Sequence, residues 1–158
     1  MRARQRLTSD SAVVVQEERS NRRGVFPVAV IGIIESPIQT MERAPRQGSE
    51  GAPDAWLVLD AAFAPGLRGI GVGDDVIIVT WLHRACRDVL EVHPRRDSAS
   101  AVAGVFATRS PHRPNPLGLH RVTVREISGT RLRIGPIEVI DGTPVVDVKA
   151  VLGGEVGA

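Results

Sequence analysis

A series of short apolar runs, rich in valine and isoleucine, constrains the fold of this chain more than any other feature. The runs are VFPVAVIGIIES, AWLVLD, DDVIIVTWLH, HRVTVREI, TRLRIGPIEVI and TPVVDVKAVL. β-Branched residues favour strands, and the pairs Ser128-Gly129 and Asp141-Gly142 mark turns between the later runs. The pattern therefore predicts six or seven short strands and an all-β fold, a small β-barrel with long loops and little helix.

The core of this barrel is expected to be almost entirely aliphatic. Aromatic residues make up 3% of the chain and tyrosine is absent, so Val, Ile, Leu and Ala must fill the interior. The last run predicts a strand with Val146, Val148 and Ala150 on one face. The segment HRACRDVLEV, residues 83–92, is the one helix candidate.

The chain is expected to form one domain with an N-terminal extension. Its 158 residues suit a single core. Residues 1–26 mix Arg, Ser, Gln and Glu without a sustained period, which predicts a basic, flexible extension. Residues 27–158 then form the barrel domain. Within it, the long polar segment PIQTMERAPRQGSEGAPD predicts a loop, and long loops in compact domains are often functional.

Charge and hydropathy favour a soluble, cytoplasmic protein. The net charge is only +2, and Lys149 is the single lysine among 20 basic residues, so an anionic partner is permitted but not required. No apolar run approaches the ~20 residues that cross a bilayer. The single cysteine, Cys86, excludes an internal disulfide and fits a reducing compartment.

A glycine-rich stretch and a set of His and Cys residues resemble functional motifs, but neither has the spacing or context that such a motif needs. The glycines of GIGVGDD precede a strand, whereas a dinucleotide-binding loop must open a helix. His83, Cys86 and His93 lack the second close pair that a zinc site needs, so no metal is expected. Cys86 is instead expected to be a small buried hydrophobic residue.

The stretch GVFATRSPHRPNPLGLHRV, residues 104–122, is unusually rich in proline and in hydrogen-bond donors. Its prolines, which fix φ and stiffen the chain, are Pro111, Pro114 and Pro116. Arg109, Arg113 and Asn115 supply donors, and arginine suits a carboxylate or phosphate. From the residues alone, a preorganised ligand-binding loop and a purely structural turn with solvated arginines remain equally open. A polyproline ligand, read from PHRP, is disfavoured because the segment lies between two core strands.

This stretch, together with SPIQTMERAPRQG and DGTPVVDVKAVL, resembles the TrmO family, whose members are also called TsaA-like or VirR-like. The resemblance extends over residues 27–153. It implies an S-adenosylmethionine-dependent methyltransferase built on a small β-barrel. It further implies methylation of the exocyclic amine nitrogen of threonylcarbamoyladenosine, next to the anticodon of transfer RNA. The resemblance implies, in addition, a homodimer that holds the cofactor close to the protomer interface.

The resemblance also implies which positions line the cofactor pocket. They are Pro45, Arg46, Gln47, His83, Arg84, Arg109, Leu119, Val139, Ile140, Asp141 and Gly142. The residues expected to contact the substrate are His112, Arg113, Asn115 and Lys149. We expect Asp141 or a neighbouring backbone group to fix the ribose or adenine of the cofactor. We expect Arg109 or Arg46 to bind a carboxylate, either that of the cofactor or that of the substrate's threonyl group. No general base is assigned, although His112 and His120 have suitable side chains.

The sequence departs from the family pattern at two tyrosines. Ser36-Pro37-Ile38 stands where Ser-Pro-Tyr is expected, and Lys149-Ala150-Val151 stands where Lys-Pro-Tyr is expected. RNA recognition often uses aromatic stacking, so the departures bear on the acceptor more than on the cofactor. Two alternatives therefore remain open: a non-catalytic module that binds S-adenosylmethionine or RNA, and a methyltransferase acting on another amine.

Overall fold

The computed structural model describes residues 24–93 and 99–151, so most of the predicted N-terminal extension lies outside the described residues. The strands are β1 Gly32–Glu35, β2 Ala55–Leu59, β3 Asp75–Trp81, β4 Glu91–Val92, β5 Ala103–Gly104, β6 Leu117–Ser128, β7 Arg131–Gly135 and β8 Thr143–Ala150. Within these described residues, short 3-10 helices occupy Gly48–Glu50, Ala61–Leu67 and Val105–Ala107. Across the two described stretches, no helix is long and apolar enough to cross a membrane.

Six of these strands form a closed barrel in the order β1-β2-β7-β6-β3-β8. All neighbouring strands are antiparallel, and closure leaves no unpaired sheet edge. Alternate residues point inward, and fully buried interior side chains include Ile34, Leu57, Ile78 and Leu132. Each contributes about 1.5–3 kcal/mol through burial. The predicted all-β barrel with little helix is confirmed.

The helix predicted over residues 83–92 is wrong. The segment forms turns and then enters β4, which pairs with β5 in a separate two-stranded sheet. Its backbone is bound to the proline-rich stretch: the Cys86 N–H donates to His112 Nδ1, and the Cys86 carbonyl accepts from the Arg113 N–H. These contacts replace the hydrogen bonds that a helix would make. Cys86 is also exposed rather than buried, because this segment lies outside the barrel wall.

A bulge in β8 changes which of its residues face the core. Val79 of β3 pairs with Asp147, whereas the next residue, Thr80, pairs with Val145, so one residue of β8 is left over. Such an extra residue shifts the alternation of side chains. Val145 is fully buried and Val148 packs against the core. The prediction that Val146, Val148 and Ala150 form one face of a regular strand is therefore wrong.

The antiparallel order places three long connections at the same end of the barrel, which we call the loop end. The first loop, residues 36–54, joins β1 to β2; the second loop, residues 82–116, joins β3 to β6 and contains β4 and β5. The third loop, residues 136–142, joins β7 to β8. The opposite end carries the β2–β3 connection and the tight turn between β6 and β7. The loop end is thus the part of the barrel with the most irregular backbone, where binding residues concentrate.

Candidate functional site

The loop end gathers all of the residues that the resemblance implies for the cofactor pocket. The first loop carries Pro45, Arg46 and Gln47. The second loop carries His83, Arg84 and Arg109. The third loop carries Val139, Ile140, Asp141 and Gly142. Leu119 lies near the start of β6, at the same end.

Direct contacts hold the first and third loops together. The Asp141 N–H donates to the Ile38 carbonyl at 2.7 Å, and one Asp141 carboxylate oxygen accepts from the Ser36 N–H at 2.9 Å. Gly48 follows the Pro45-Arg46-Gln47 triplet and packs so closely that a Cβ on it would lie 3.3 Å from Glu138 Oε2. The two loops therefore form one continuous surface around Glu138.

Three side chains form a hydrogen-bonded cluster where β3, β6 and the third loop meet. His120 Nδ1 donates to Glu138 Oε1 at 2.8 Å, and His120 Nε2 lies 2.9 Å from Thr80 Oγ1. The Thr80 side chain is fully buried, and the side chains of His120 and Glu138 are 5% and 21% exposed. A Cβ on Gly118 would collide with both His120 Nε2 and Thr80 Oγ1. Only glycine at position 118 leaves room for this cluster.

The cluster sets the charge state of Glu138. Burial raises the pKa of the Glu138 carboxyl, but the hydrogen bond from His120, the charge of His120, the backbone N–H of Glu138 and the charge of Arg109 together lower it below its usual value of 4.5. Glu138 is therefore ionised at neutral pH. In the second loop, partial burial and the neighbouring charge of Arg84 lower the pKa of His83.

Arg113 holds the proline-rich stretch in shape. Its Nε donates to the Ser110 carbonyl at 2.8 Å, and its Nη2 donates to the carbonyls of Thr108 at 2.6 Å and Val105 at 3.1 Å. The stretch is thus stiffened by an arginine as well as by its prolines. Arg113 is therefore not a solvated arginine. Its guanidinium already makes these three hydrogen bonds, so any contact with the substrate would be additional to them.

The predicted pocket residues differ in which atoms they can offer a ligand. The side chains of Val139 and Ile140 are buried in the core, so these residues can contribute only backbone groups. Arg46, Arg84 and Arg109 are exposed, and so is Leu119. The structure therefore supplies cationic and apolar groups from the first two loops and β6, and backbone groups from the third loop.

The residues proposed to contact the substrate are divided between the two ends of the barrel. His112 and Asn115 lie in the second loop with Arg113; His112 Nδ1 accepts from the Cys86 N–H, and Asn115 is exposed. Lys149 pairs with Ile77 close to the opposite end of the barrel and forms a 2.7 Å ion pair with Asp147. Lys149 does not join the loop-end site.

Sequence reasoning did not single out Glu138 or Thr80, and it assigned no role to His120. A signal was present, because His120 lies two residues before Val122 on β6 and must face the interior with it. A buried histidine needs polar partners, but their identity depends on the strand pairing. No group of three potential metal ligands occurs within residues 24–93 and 99–151.

Residues 33–153 match the family model described as the tRNA-methyltransferase O N-terminal domain. A probable S-adenosyl-L-methionine-binding protein of Archaeoglobus fulgidus is 42% identical over 119 residues, covering 75% of this chain and 32% of the relative. The tRNA (adenine(37)-N6)-methyltransferase of Escherichia coli is 35% identical over 136 residues, covering 80% of this chain and 58% of that enzyme. A crystal structure of TrmO from Pseudomonas aeruginosa has a TM-score of 0.67 and 28% identity, covering 85% of this chain and 61% of that one. This chain thus spans less than two thirds of the length of each of the three.

Proposed function

The chain belongs to the tRNA-methyltransferase O family, and on this basis we propose that it transfers a methyl group from S-adenosylmethionine to the exocyclic amine nitrogen of an adenosine in transfer RNA. The Escherichia coli relative, a tRNA (adenine(37)-N6)-methyltransferase, supports the reaction class. The Archaeoglobus relative, named for binding S-adenosylmethionine, supports the cofactor. The resemblance narrows the proposed acceptor to threonylcarbamoyladenosine next to the anticodon.

One structural observation carries the proposal. Three chain segments far apart in sequence, each containing part of the family motif, converge at one end of a closed barrel. There they surround a mostly buried, ionised carboxylate and expose several arginines. Rigid scaffolds commonly build binding sites from loops gathered in this way.

The residues present suit S-adenosylmethionine. The exposed guanidinium groups of Arg46 and Arg109 can bind its carboxylate bidentately. Leu119 offers an apolar surface to the adenine ring, and the second oxygen of Asp141, beside the one that accepts from Ser36, can accept from a ribose hydroxyl. The cofactor supplies an activated methyl group on a sulfonium, so the protein has mainly to position two reactants.

The remaining parts of the site are proposed for the acceptor and for assembly. We propose that His112, Arg113 and Asn115 face the transfer RNA, because they lie on the second loop beside the pocket. We propose that Lys149, on the barrel wall, makes a separate contact with the RNA. We further propose that the protein acts as a homodimer in the cytoplasm, as the resemblance implies.

Substitution of Arg109 tests the proposed pocket. We expect Arg109→Ala to weaken S-adenosylmethionine binding by about tenfold or more, because a charge-assisted hydrogen bond contributes ~1.5–3 kcal/mol. Isothermal titration calorimetry measures the affinity, and transfer of labelled methyl to bulk transfer RNA measures turnover. Arg68→Ala, an exposed arginine in the connection at the opposite end, is the control. Unchanged affinity and turnover in Arg109→Ala would remove Arg109 from the pocket.

A non-catalytic role is the second candidate function, because the Archaeoglobus relative is named as a binding protein rather than as an enzyme. In that case the protein would bind S-adenosylmethionine with the same Arg109 dependence and transfer no label to any RNA. Transfer to RNA that lacks the threonylcarbamoyl group would instead indicate a different amine acceptor. Calorimetry, transfer to bulk transfer RNA and transfer to RNA without the threonylcarbamoyl group together separate the three functions.

A further inference from the structure

Resting on the proposed methyl transfer, we propose that Glu138, held in place by His120 and Thr80, accepts the proton that the acceptor nitrogen loses when it is methylated. Glu138 precedes the third-loop residues assigned to the pocket, and neither the sequence motifs nor the comparisons give it a role. The proposal makes Glu138 a catalytic residue and His120 and Thr80 positioning residues.

Glu138 lies within reach of all three loops. Its Oε1 atom is occupied by His120, whereas Oε2 makes no hydrogen bond to another described residue and lies beside the backbone of Gly48. Gly48 directly follows Gln47, and Val139 directly follows Glu138. Arg109 of the second loop is close enough for its charge to act on Glu138. The carboxylate therefore lies where all three loops meet.

The cluster behind Glu138 fixes its geometry. A carboxylate accepts but does not donate, so His120 Nδ1 carries a hydrogen and donates it to Oε1. On the other side of the ring, the Thr80 hydroxyl lies 2.9 Å from Nε2 and holds it by a second hydrogen bond. Because Thr80 is fully buried and His120 nearly so, neither can reach a ligand directly. The 21% exposed carboxylate of Glu138 is the outer member of this chain of hydrogen bonds.

The chemistry of the reaction needs such a group. The acceptor nitrogen forms a bond to the methyl carbon while the carbon–sulfur bond breaks, and the electron pair of that bond returns to sulfur. The nitrogen becomes positively charged and highly acidic, so an ordinary carboxylate suffices to take its proton onto Oε2. General bases in this position typically accelerate reactions by about 10²–10⁴-fold.

The charged groups that face Glu138 keep it ready to accept a proton. They are His120 from β6 and Arg109 from the second loop; the first loop presents the backbone of Gly48. Both side chains favour the ionised carboxylate. The rate of transfer should therefore fall at low pH as Glu138 becomes protonated.

The test compares Glu138→Gln with the native protein and with Glu126→Gln. The glutamine oxygen can still accept from His120, so the fold is preserved while the basic oxygen is lost. Glu126 is an exposed carboxylate paired with Arg133 near the opposite end of the barrel, which makes Glu126→Gln a matched control. For each protein, calorimetry gives the affinity for S-adenosylmethionine, and single-turnover transfer to transfer RNA at saturating cofactor gives the rate across pH 4–9.

We expect Glu138→Gln to bind S-adenosylmethionine with unchanged affinity, to transfer methyl about 10²-fold more slowly or worse, and to lose the decline in rate at low pH. In the native protein, carbon-13 NMR of the Glu138 carboxyl should titrate at the pH of that decline. A rate in Glu138→Gln equal to that of Glu126→Gln would overturn the proposal. Loss of affinity with a normal rate at saturation would make Glu138 a cofactor contact and would also overturn it.

Failure of the proposed function has a different signature. If the native protein transfers no methyl group to transfer RNA, the methyltransferase assignment fails and the role of Glu138 as proton acceptor fails with it. If the native protein is active and only the Glu138→Gln result disagrees, the assignment stands and this inference alone is refuted. Equal losses of affinity, rate and thermal stability in Glu138→Gln would reduce Glu138 to a structural residue.

Discussion

Removal of the Thr80 hydroxyl should destabilise the fold through a single buried hydrogen bond. In Thr80→Val the shape of the side chain is kept, so no cavity forms, but His120 Nε2 loses the partner that lies 2.9 Å away. Whether the ring is neutral or protonated, one of its nitrogens is then buried and unpaired. Leaving a buried polar group unsatisfied costs about 1–3 kcal/mol.

The same substitution on a neighbouring strand position supplies the control for this prediction. Thr123 Oγ1 donates to Asp75 Oδ1 near the surface, where water can replace the lost bond, so Thr123→Val should cost no more than ~0.5 kcal/mol. Urea denaturation monitored by circular dichroism measures both free energies of unfolding. The Thr80→Val midpoint in a thermal scan should fall by about 4 °C for each kcal/mol lost. Equal costs for the two variants would refute the account of the buried cluster.

Three further predictions follow from other contacts. Arg113→Ala removes the bonds that close the proline-rich stretch, so hydrogen exchange in residues 105–113 should quicken by about tenfold or more while the barrel strands keep their protection. Gly135→Ala should cost ~1–3 kcal/mol in urea denaturation, because a Cβ there would collide with Asp54, whereas Gly66→Ala meets nothing and should be nearly neutral. The pKa of Glu138 is lower in the folded protein than its usual 4.5, so the ionised carboxylate stabilises the fold at neutral pH. This stabilisation is lost as the pH falls through 4.5 and below. Glu138→Gln should therefore lose less stability than the native protein over that pH range.

The strands could be predicted from the sequence because apolar runs and turn residues act locally. The run DDVIIVTWLH became β3, and the turn predicted at Ser128-Gly129 separates β6 from β7. Strand ends were less predictable, because pairing with a partner decides them. The first run was expected to be a strand from residue 25, yet β1 begins at Gly32, and Val28 and Val30 before it are exposed.

The candidate site was predictable only in part, because its members are joined by the barrel and not by the sequence. The motif residues Arg46, Arg109 and Asp141 were identified, and antiparallel closure places them at one end. His120 pairs with Glu138 because the third loop continues alongside β6 beyond the end of β7. The alternation of apolar residues in the sequence does not show the path of that loop. The bulge in β8 is invisible in the sequence for the same reason.

Mass spectrometry of nucleosides tests the central claim most directly. The purified protein is incubated with S-adenosylmethionine and transfer RNA that carries threonylcarbamoyladenosine without its methyl group, and the RNA is then digested and analysed. We expect one methyl group to be added to threonylcarbamoyladenosine, and none when the RNA lacks the threonylcarbamoyl group. If threonylcarbamoyladenosine stays unmethylated after incubation with protein that demonstrably binds S-adenosylmethionine, the proposed methyl transfer is contradicted.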